Sequence, residues 1–315
     1  MEELDEFDFE LYDIIKEYMP ITLSELARTL GHSKSMIHRR IKKLEASGLI
    51  KVFNQGGVSI ITANLMNDSI ITIGILRASE YPYIIKFAKN LEEIFNHVKI
   101  VVYDEAYKEA LDLSTGKLKL AMNPAISLLA IHRISRGQVH IIGGGSGGGS
   151  GIINNSNGKN GHSTSIMSSM ELCADMNNLE MPRIYSNSGL EILNKVIKGE
   201  VRQGVVWEPY LSIASKSNLK TTSCELETCC LLGAHSSLYD KYEKISKAFS
   251  DAISGNISNL EGYANIINMP LDLVKLSVKS YTFFEEPDKN YLKSIISNLR
   301  NTILPSDIIE KSVII

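Results

Sequence analysis

The sequence predicts an α/β protein in two parts: a small α+β unit of three helices and a hairpin, then a larger domain in which helices and strands alternate. Three observations lead there. Thr22 to Phe53 reads as two capped helices, a short turn and a strand; Ile70 to Ile142 alternates apolar runs with amphipathic stretches; and the polar Asn67-Asp68-Ser69 interrupts the pattern between them. A chain of 315 residues is too long for one small unit, so about two domains are expected, over 1–66 and 67–315.

In the first part, Phe7 to Met19 supplies the opening helix. Thr22 caps the second, with Glu25 three residues on reaching back to complete a capping box, and Gly31 permits the tight turn that follows. Ser33 caps a third helix that runs to about Ser47, where Gly48 supplies a left-handed stop. On it Ile37, Ile41 and Leu44 recur at helical spacing and form the buried stripe, while Lys34, Ser35, His38, Arg39 and Lys42 project the other way. Leu49–Phe53 and Val58–Ala63 are short apolar runs separated by Asn54-Gln55-Gly56-Gly57, a hairpin turn signal.

Charge adds a function to that shape. The whole chain carries a formal −3, yet Ser33 to Ser47 holds five cations (Lys34, Arg39, Arg40, Lys42, Lys43) against Glu45, a net of +4. A face of that kind in a DNA groove neutralises phosphates and releases counterions. The segment resembles the winged helix-turn-helix transcription regulators, and its most telling run is Ser33 to Ile50. The resemblance implies Ser33 to Lys43 as recognition helix and Asn54 to Gly57 as wing tip. The DNA-contacting set is then Ser33, Lys34, Ser35, His38, Arg39, Lys42, Lys43, Asn54 and Gln55, and the partner is double-stranded DNA. Winged helices generally bind as dimers, because one recognition helix contacts too few bases, so a homodimer is expected.

In the second part Ile70–Leu76 reads as a buried strand, Tyr83–Phe95 as a helix, His97–Tyr103 as a strand, Glu105–Thr115 as a helix and Lys119–Met122 as a strand. Pro124–Arg136 and Val139–Ile142 repeat the pattern. Such an order predicts a parallel sheet covered by helices, with ligands at the carboxyl ends of its strands. Those ends are Arg77–Tyr83, Asn123-Pro124 and the glycines after Ile142.

The run GGGSGGGSG, Gly143 to Gly151, has the repeat of a flexible linker, natural or spliced. Directly after a strand it also suits a loop whose backbone N–H groups approach a ligand closely. It matches neither a P-loop nor a dinucleotide fingerprint. Ser163-Thr164-Ser165 reads as a helix start, either an anion site or a plain cap. Gln203–Val206 is a short strand delivering Trp207-Glu208-Pro209-Tyr210. Trp207, the sole tryptophan, could stack on a planar or cationic ligand beside Glu208, or plug the core. Cys229-Cys230, following Cys224 and preceding His235, lacks C-x-x-C spacing. The four cysteines, Cys173 included, are expected to be reduced, with Cys224, Cys229 and Cys230 as buried small hydrophobes and no metal or cofactor.

The order of strand, YP-containing loop, helix, glycine loop, GHSTS, GVVWEPY and long helical tail is similar to the type II periplasmic binding proteins, within them to the branch for sulfonates, taurine and thiamine-pyrimidine precursors. It spans nearly all of 69–315. The resemblance implies two lobes, about 69–151 with 229–315 and about 152–228, closing on a ligand by a hinge. It places Tyr81 and Tyr83 on the first ligand loop, Asn123 at a strand end, Ser146 and Gly147 on the glycine run, Ser163 and Thr164 next, and Trp207 and Glu208 opposite.

No stretch approaches 18 uninterrupted apolar residues, and MEELDEFDFE is the opposite of a signal peptide's basic opening. The expectation is a cytoplasmic protein without membrane contact. Together these readings give a ligand-responsive transcription regulator with a small-molecule effector and no enzymatic activity. The alternative is a cytoplasmic enzyme of thiamine-pyrimidine-synthesis type, or another small-molecule enzyme, with a regulatory DNA-binding head. In a third reading the second domain only dimerises.

Overall fold

The computed structural model describes residues 4–55, 58–63, 70–255, 257, 259–298, 304–305 and 307–314. The Gly56-Gly57 tip of the expected wing, the Gln55 side chain and the expected boundary over 64–69 lie outside the described residues. The chain forms two compact units, Met1–Ile71 with Phe95–His97, and Thr72–Ile94 with Val98–Ile315.

The first unit contains α1 (Glu6–Tyr18), β1 (Ile21–Thr22), α2 (Leu23–Leu30), α3 (Lys34–Ala46), β2 (Ile50–Gln55) and β3 (Val58–Ala63). Each helix start is fixed by its own sequence. Asp5 and Asp8 form a capping box on α1, Thr22 and Glu25 another on α2, and Ser33 accepts from the Met36 N–H at the start of α3. Gly31 ends α2 at φ +66°, a left-handed conformation that glycine adopts without a Cβ clash. Ile37, Ile41 and Leu44 turn inward against Leu11, Ile15, Leu26, Leu49, Ile50 and Ile61. The strands order β1-β3-β2, antiparallel throughout, with Val52 opposite Ile61.

The second unit contains two sheets. Its elements run β4 (Ile70–Leu76), α4 (Ile84–Leu91), β5 (His97–Tyr103), α5 (Ala106–Ser114), β6 (Leu120–Pro124), α6 (Ala125–Ile134) and β7 (Val139–Gly148). The chain then crosses to β8 (Ser150–Asn154), β9 (His162–Thr164), α7 (Ser169–Met176), β10 (Arg183–Tyr185), α8 (Gly189–Ile197), β11 (Gln203–Trp207), α9 (Tyr210–Lys216) and β12 (Lys220–Ser223). It returns through β13 (Cys230–His235), α10 (Tyr242–Ile253), α11 (Leu260–Ile266), α12 (Leu271–Ser277), β14 (Tyr281–Phe284), α13 (Lys289–Asn298) and α14 (Ile308–Ser312). The first sheet orders β14-β7-β13-β6-β4-β5 and the second β10-β9-β11-β8-β12. Among the described residues no helix is long and apolar enough to cross a membrane.

Four expectations need correction. The first sheet is mixed, not wholly parallel: β4 and β6 run parallel, but β13 pairs antiparallel with both β6 and β7. The chain leaves this sheet at the end of β7 and comes back through β13 on the same side, so β13 must run the other way.

The glycine run is neither a loop nor a flexible linker. It is the last half of β7 and the first residues of β8, joined through Gly148 and Gly149 at φ +79° and +63°. A Cβ on Gly145 would sit 2.0 Å from the Cys230 carbonyl oxygen, and one on Gly147 1.8 Å from that of Glu227. Glycine is there because backbones close in on both sides.

Ser163 and Thr164 do not start a helix. They lie in β9, where their backbones join the parallel ladder to β10 and β11, and α7 begins only at Ser169, capped by Ser168.

The cysteines are not all reduced. Cys173 on α7 is bonded to Cys224 just past β12, with Cα atoms 5.6 Å apart, a pairing across 51 residues that spacing alone does not reveal. Cys229 and Cys230 are free and buried at the start of β13.

Candidate functional site

The face of α3 opposite Ile37, Ile41 and Leu44 exposes Ser33, Lys34, Ser35, His38, Arg39 and Lys42. Lys43 does not belong with them. Its Nζ lies 2.6 Å from Oδ2 of the fully buried Asp8, whose Oδ1 accepts from Arg40 Nη1 at 3.0 Å; Arg40 also reaches Asp5 at 2.5 Å and lies over the Phe7 ring. The Arg40 guanidinium holds the Asp5 carboxyl below its usual range. Two of the five cations read from α3 therefore bind α3 to α1, and Lys34, Arg39 and Lys42 remain exposed. In the hairpin Asn54 is exposed and accepts from Ser59 Oγ at 2.8 Å.

In the second unit the carboxyl ends of the first sheet gather around a residue that sequence reasoning missed. Glu80 follows β4 and is 2% exposed. Ser146 Oγ of β7 donates to its Oε1 at 2.6 Å, and the Cys229 and Cys230 sulfurs lie within 4.8 Å of its carboxyl. Burial raises its pKa against the Ser146 bond. The two sulfurs are 3.8 Å apart, and the Tyr81 hydroxyl donates to Cys230 Sγ at 3.3 Å. Main-chain pairing brings them together: Cys230 lies opposite Ser146, and Cys229 N–H donates to the Ser146 carbonyl at 2.8 Å. Tyr263 of α11 locks the loop, accepting from Tyr81 N–H at 3.0 Å and donating to the Ala78 carbonyl at 2.5 Å. Tyr83 is equally buried, edge-on to Phe249 and Phe283.

Of the other residues expected at the ligand, the structure joins some to this cluster and not others. Gly147 continues β7, opposite Thr282 of β14. Asn123 turns away, its Nδ2 donating to Glu109 Oε2 at 2.8 Å and to the Ala106 carbonyl at 2.9 Å. Ser163 Oγ pairs with Ser186 Oγ at 2.9 Å, which in turn accepts from Lys195 Nζ at 2.7 Å, while Thr164 Oγ1 is buried without a hydrogen-bond partner.

Trp207 and Glu208 join the sheets at their strand ends, where Ser169 Oγ also donates to the Cys229 carbonyl at 3.1 Å. Trp207 Nε1 donates to the Arg77 carbonyl at 3.1 Å, and the Glu208 carbonyl accepts from Ser79 N–H at 3.1 Å and the Tyr281 hydroxyl at 3.3 Å. Glu208 N–H donates to the Gly149 carbonyl at 2.8 Å. The Glu208 carboxylate bends back onto Ser212, accepting from its N–H and Oγ, and so caps α9. Burial raises its pKa, opposed by those two bonds.

Residues 4–51 match the family model described as winged helix-turn-helix DNA-binding. No curated protein matches the chain. Among solved structures, the alkanesulfonate-binding protein of Xanthomonas axonopodis pv. citri bound to MOPS aligns at 12% identity, covering 73% of this chain and 90% of that one, with a TM-score of 0.57. The periplasmic nitrate-binding protein of Synechocystis PCC 6803 aligns at 11%, covering 78% and 86%, with a TM-score of 0.62. A ligand-binding component of an ABC-type import system from Staphylococcus aureus with zinc bound aligns at 15%, covering 73% and 90%, with a TM-score of 0.57. The chain therefore joins a winged helix-turn-helix domain to a domain with the fold of periplasmic binding proteins.

A signal for Glu80 was available: an acid two residues before Pro82, at the end of an apolar strand. Glu109 gave none, because Ala106 to Ser114 looks like any amphipathic helix until Asn123 is found against it.

Proposed function

We propose that this chain is a ligand-responsive transcription regulator that acts in the cytoplasm as a homodimer, the two-lobed domain sensing a small molecule and the winged helix reading DNA. The observation that carries the proposal is the coexistence, in one chain, of a matched DNA-binding domain with an exposed Lys34, Arg39 and Lys42 face and a domain of two sheets whose strand ends are hydrogen-bonded to one another. Hydrogen bonds at the strand ends of two lobes can be exchanged for bonds to a solute, the requirement for a ligand-driven switch. The neighbours in fold include an alkanesulfonate-binding protein, a nitrate-binding protein and an import component with zinc bound, which sets the first solutes to try.

The test is a gel-shift titration of the full chain on the DNA upstream of its own coding sequence, repeated with sulfonates, nitrate, pyrimidines and zinc. Binding to that DNA, and a change of several-fold with one solute that also raises the melting temperature, supports the reading. A folded protein that binds no DNA, or whose DNA affinity ignores every stabilising solute, overturns it.

A further inference from the structure

The most unusual chemistry in the molecule is the group at the end of the first sheet. One carboxylate and two adjacent thiols, Glu80, Cys229 and Cys230, are buried with their donor atoms all within 4.8 Å of one another. The partners these groups make with one another and with Ser146 and Tyr81 include no lysine or arginine. An oxyanion would meet a carboxylate and two sulfurs there, the wrong charge for it. A cation meets the right one.

The geometry points to a binding site for a thiophilic divalent cation of the zinc class, held by Cys229 Sγ, Cys230 Sγ and a Glu80 carboxylate oxygen, with this cation as the effector. The second clause rests on the regulator reading proposed above. Three features carry the site. First, the sulfurs stand 3.8 Å apart; a zinc ion about 2.3 Å from each would subtend roughly 110° at the metal, close to the tetrahedral angle. Adjacent cysteines often point to opposite faces, as successive residues of a strand do. Here Cys229 precedes the first residue of β13, outside the regular strand alternation, and the two sulfurs lie 3.8 Å apart.

Second, the ligand set is selective. Two thiolates and one carboxylate favour zinc and its softer relatives over magnesium or calcium, which take oxygen cages. Ser146 Oγ, 2.6 Å from Glu80 Oε1, and the Tyr81 hydroxyl are placed to orient the ligands by hydrogen bonds, the support such sites need. Loading releases the two thiol protons to solvent while the sulfur lone pairs form the metal bonds, so apparent affinity rises with pH.

Third, the position suits a switch. Glu80 lies on the same loop as Ser79, whose N–H donates to the Glu208 carbonyl, and as Ala78, beside Arg77 whose carbonyl holds Trp207. A cation that draws Glu80 toward β13 moves the segment to which the second sheet is bonded.

Titration of cobalt(II) and zinc into the full chain without DNA, with Cys229 and Cys230 as thiols and the Cys173–Cys224 bridge intact, tests the site. The expected result is one ion per chain with sulfur-to-cobalt charge-transfer bands and tetrahedral visible bands. Cys229→Ser and Cys230→Ser should each lose the charge-transfer intensity, and Glu80→Gln should weaken binding about tenfold or more. X-ray absorption of the zinc-loaded parent, which needs no variant to fold, should count two sulfurs. No binding, or a zinc shell without sulfur, overturns the site. DNA affinity that is the same with and without bound zinc overturns the effector role. Either failure leaves the regulator reading to be judged by its own DNA titration, and a chain that binds zinc through two sulfurs but no DNA fails that reading alone.

Discussion

Trp207 donates its indole N–H to the main-chain carbonyl of Arg77 at 3.1 Å, tying the end of β11 in one sheet to the end of β4 in the other. The ring is only 8% exposed and stands edge-on to Tyr210, so its first duty is structural. Trp207→Phe keeps most of the packing and removes the donor, leaving the Arg77 carbonyl without it, and should cost about 1–3 kcal/mol in denaturant unfolding. Because this is the sole tryptophan, an effector that shifts the lobes should change its emission in a saturable way. Unchanged stability in Trp207→Phe, with a flat emission signal at saturating effector, would show that this bond does not join the lobes.

The basic residues of α3 divide into two jobs that mutagenesis can separate. Arg39→Ala with Lys42→Ala removes exposed cations and should leave the melting temperature within about a degree or two, since exposed residues contribute little. DNA affinity should fall, and the slope of log K against log salt should shrink by about 2. Arg40→Met with Lys43→Met should do the reverse to stability, stranding the buried Asp8 carboxylate at a cost of about 3–5 kcal/mol. Equal stability losses in the two double variants would erase the distinction.

Gly147 lies where a Cβ would press into the Glu227 carbonyl at 1.8 Å, whereas a Cβ on Gly31 meets nothing within 4 Å. Gly147→Ala should therefore destabilise by about 1–3 kcal/mol or more through overpacking in a backbone-walled site. A flexible linker would tolerate that change. A parent-like melting curve for Gly147→Ala would restore the linker reading of Gly143 to Gly151.

Cys173–Cys224 closes a segment spanning 51 residues that includes most of the second sheet. On the chain-entropy model its loss should cost about 4 kcal/mol. Cys173→Ser with Cys224→Ser, or the reduced parent, should melt well below the oxidised protein. Identical melting with and without a reductant, in samples whose thiol content confirms reduction, would mean that the bridge does not constrain the unfolded chain.

How far the sequence led follows from which signals are local. The capping boxes at Thr22 and the cap at Ser33, the Gly31 stop and the stripe of Ile37, Ile41 and Leu44 all act within a turn or two, and each was legible in full. β4 and β5 match the sequence reading to the residue, because an apolar run bounded by polar residues needs no partner to be recognised. What escaped depended on partners far along the chain. Lys43 looks like any recognition-helix cation until Asp8 is placed beneath it. The glycines look like a linker until Glu227 and Cys230 close over them. Ser163 and Thr164 carry the residue types of a helix start, and only pairing to β10 and β11 makes them strand. Among the residues expected at the ligand, the resemblance named Tyr81, Ser146 and Trp207, while Glu80, which accepts from Ser146 and neighbours Tyr81, came only with the fold.

Glu109 gives the last prediction. It is fully buried on α5, with Asn123 donating to its Oε2 at 2.8 Å and its Oε1 left without a partner, against the bare Cα of Gly74. Burial pushes its carboxyl well above the usual carboxylate range, partly opposed by the Asn123 bond and reinforced by Glu80 and Asp112. The sign follows from proton counting. In the folded chain Glu109 holds its proton at pH values where the unfolded chain has released it, so the folded state binds more protons and stability falls as pH rises. The contribution is fully present below the ordinary glutamate range and is lost progressively above it, toward the raised folded value. Glu109→Gln keeps the shape and the carbonyl acceptor for Asn123 while removing the ionisation. Subtracting the unfolding free energy of the parent from that of Glu109→Gln cancels the other titrating groups, such as His235, which burial lowers to about 4. That difference should be near zero under acid conditions and grow in favour of the variant through neutral and alkaline pH. A difference that stays flat, or that favours the parent as pH rises, would mean that Glu109 ionises normally and that its site admits water.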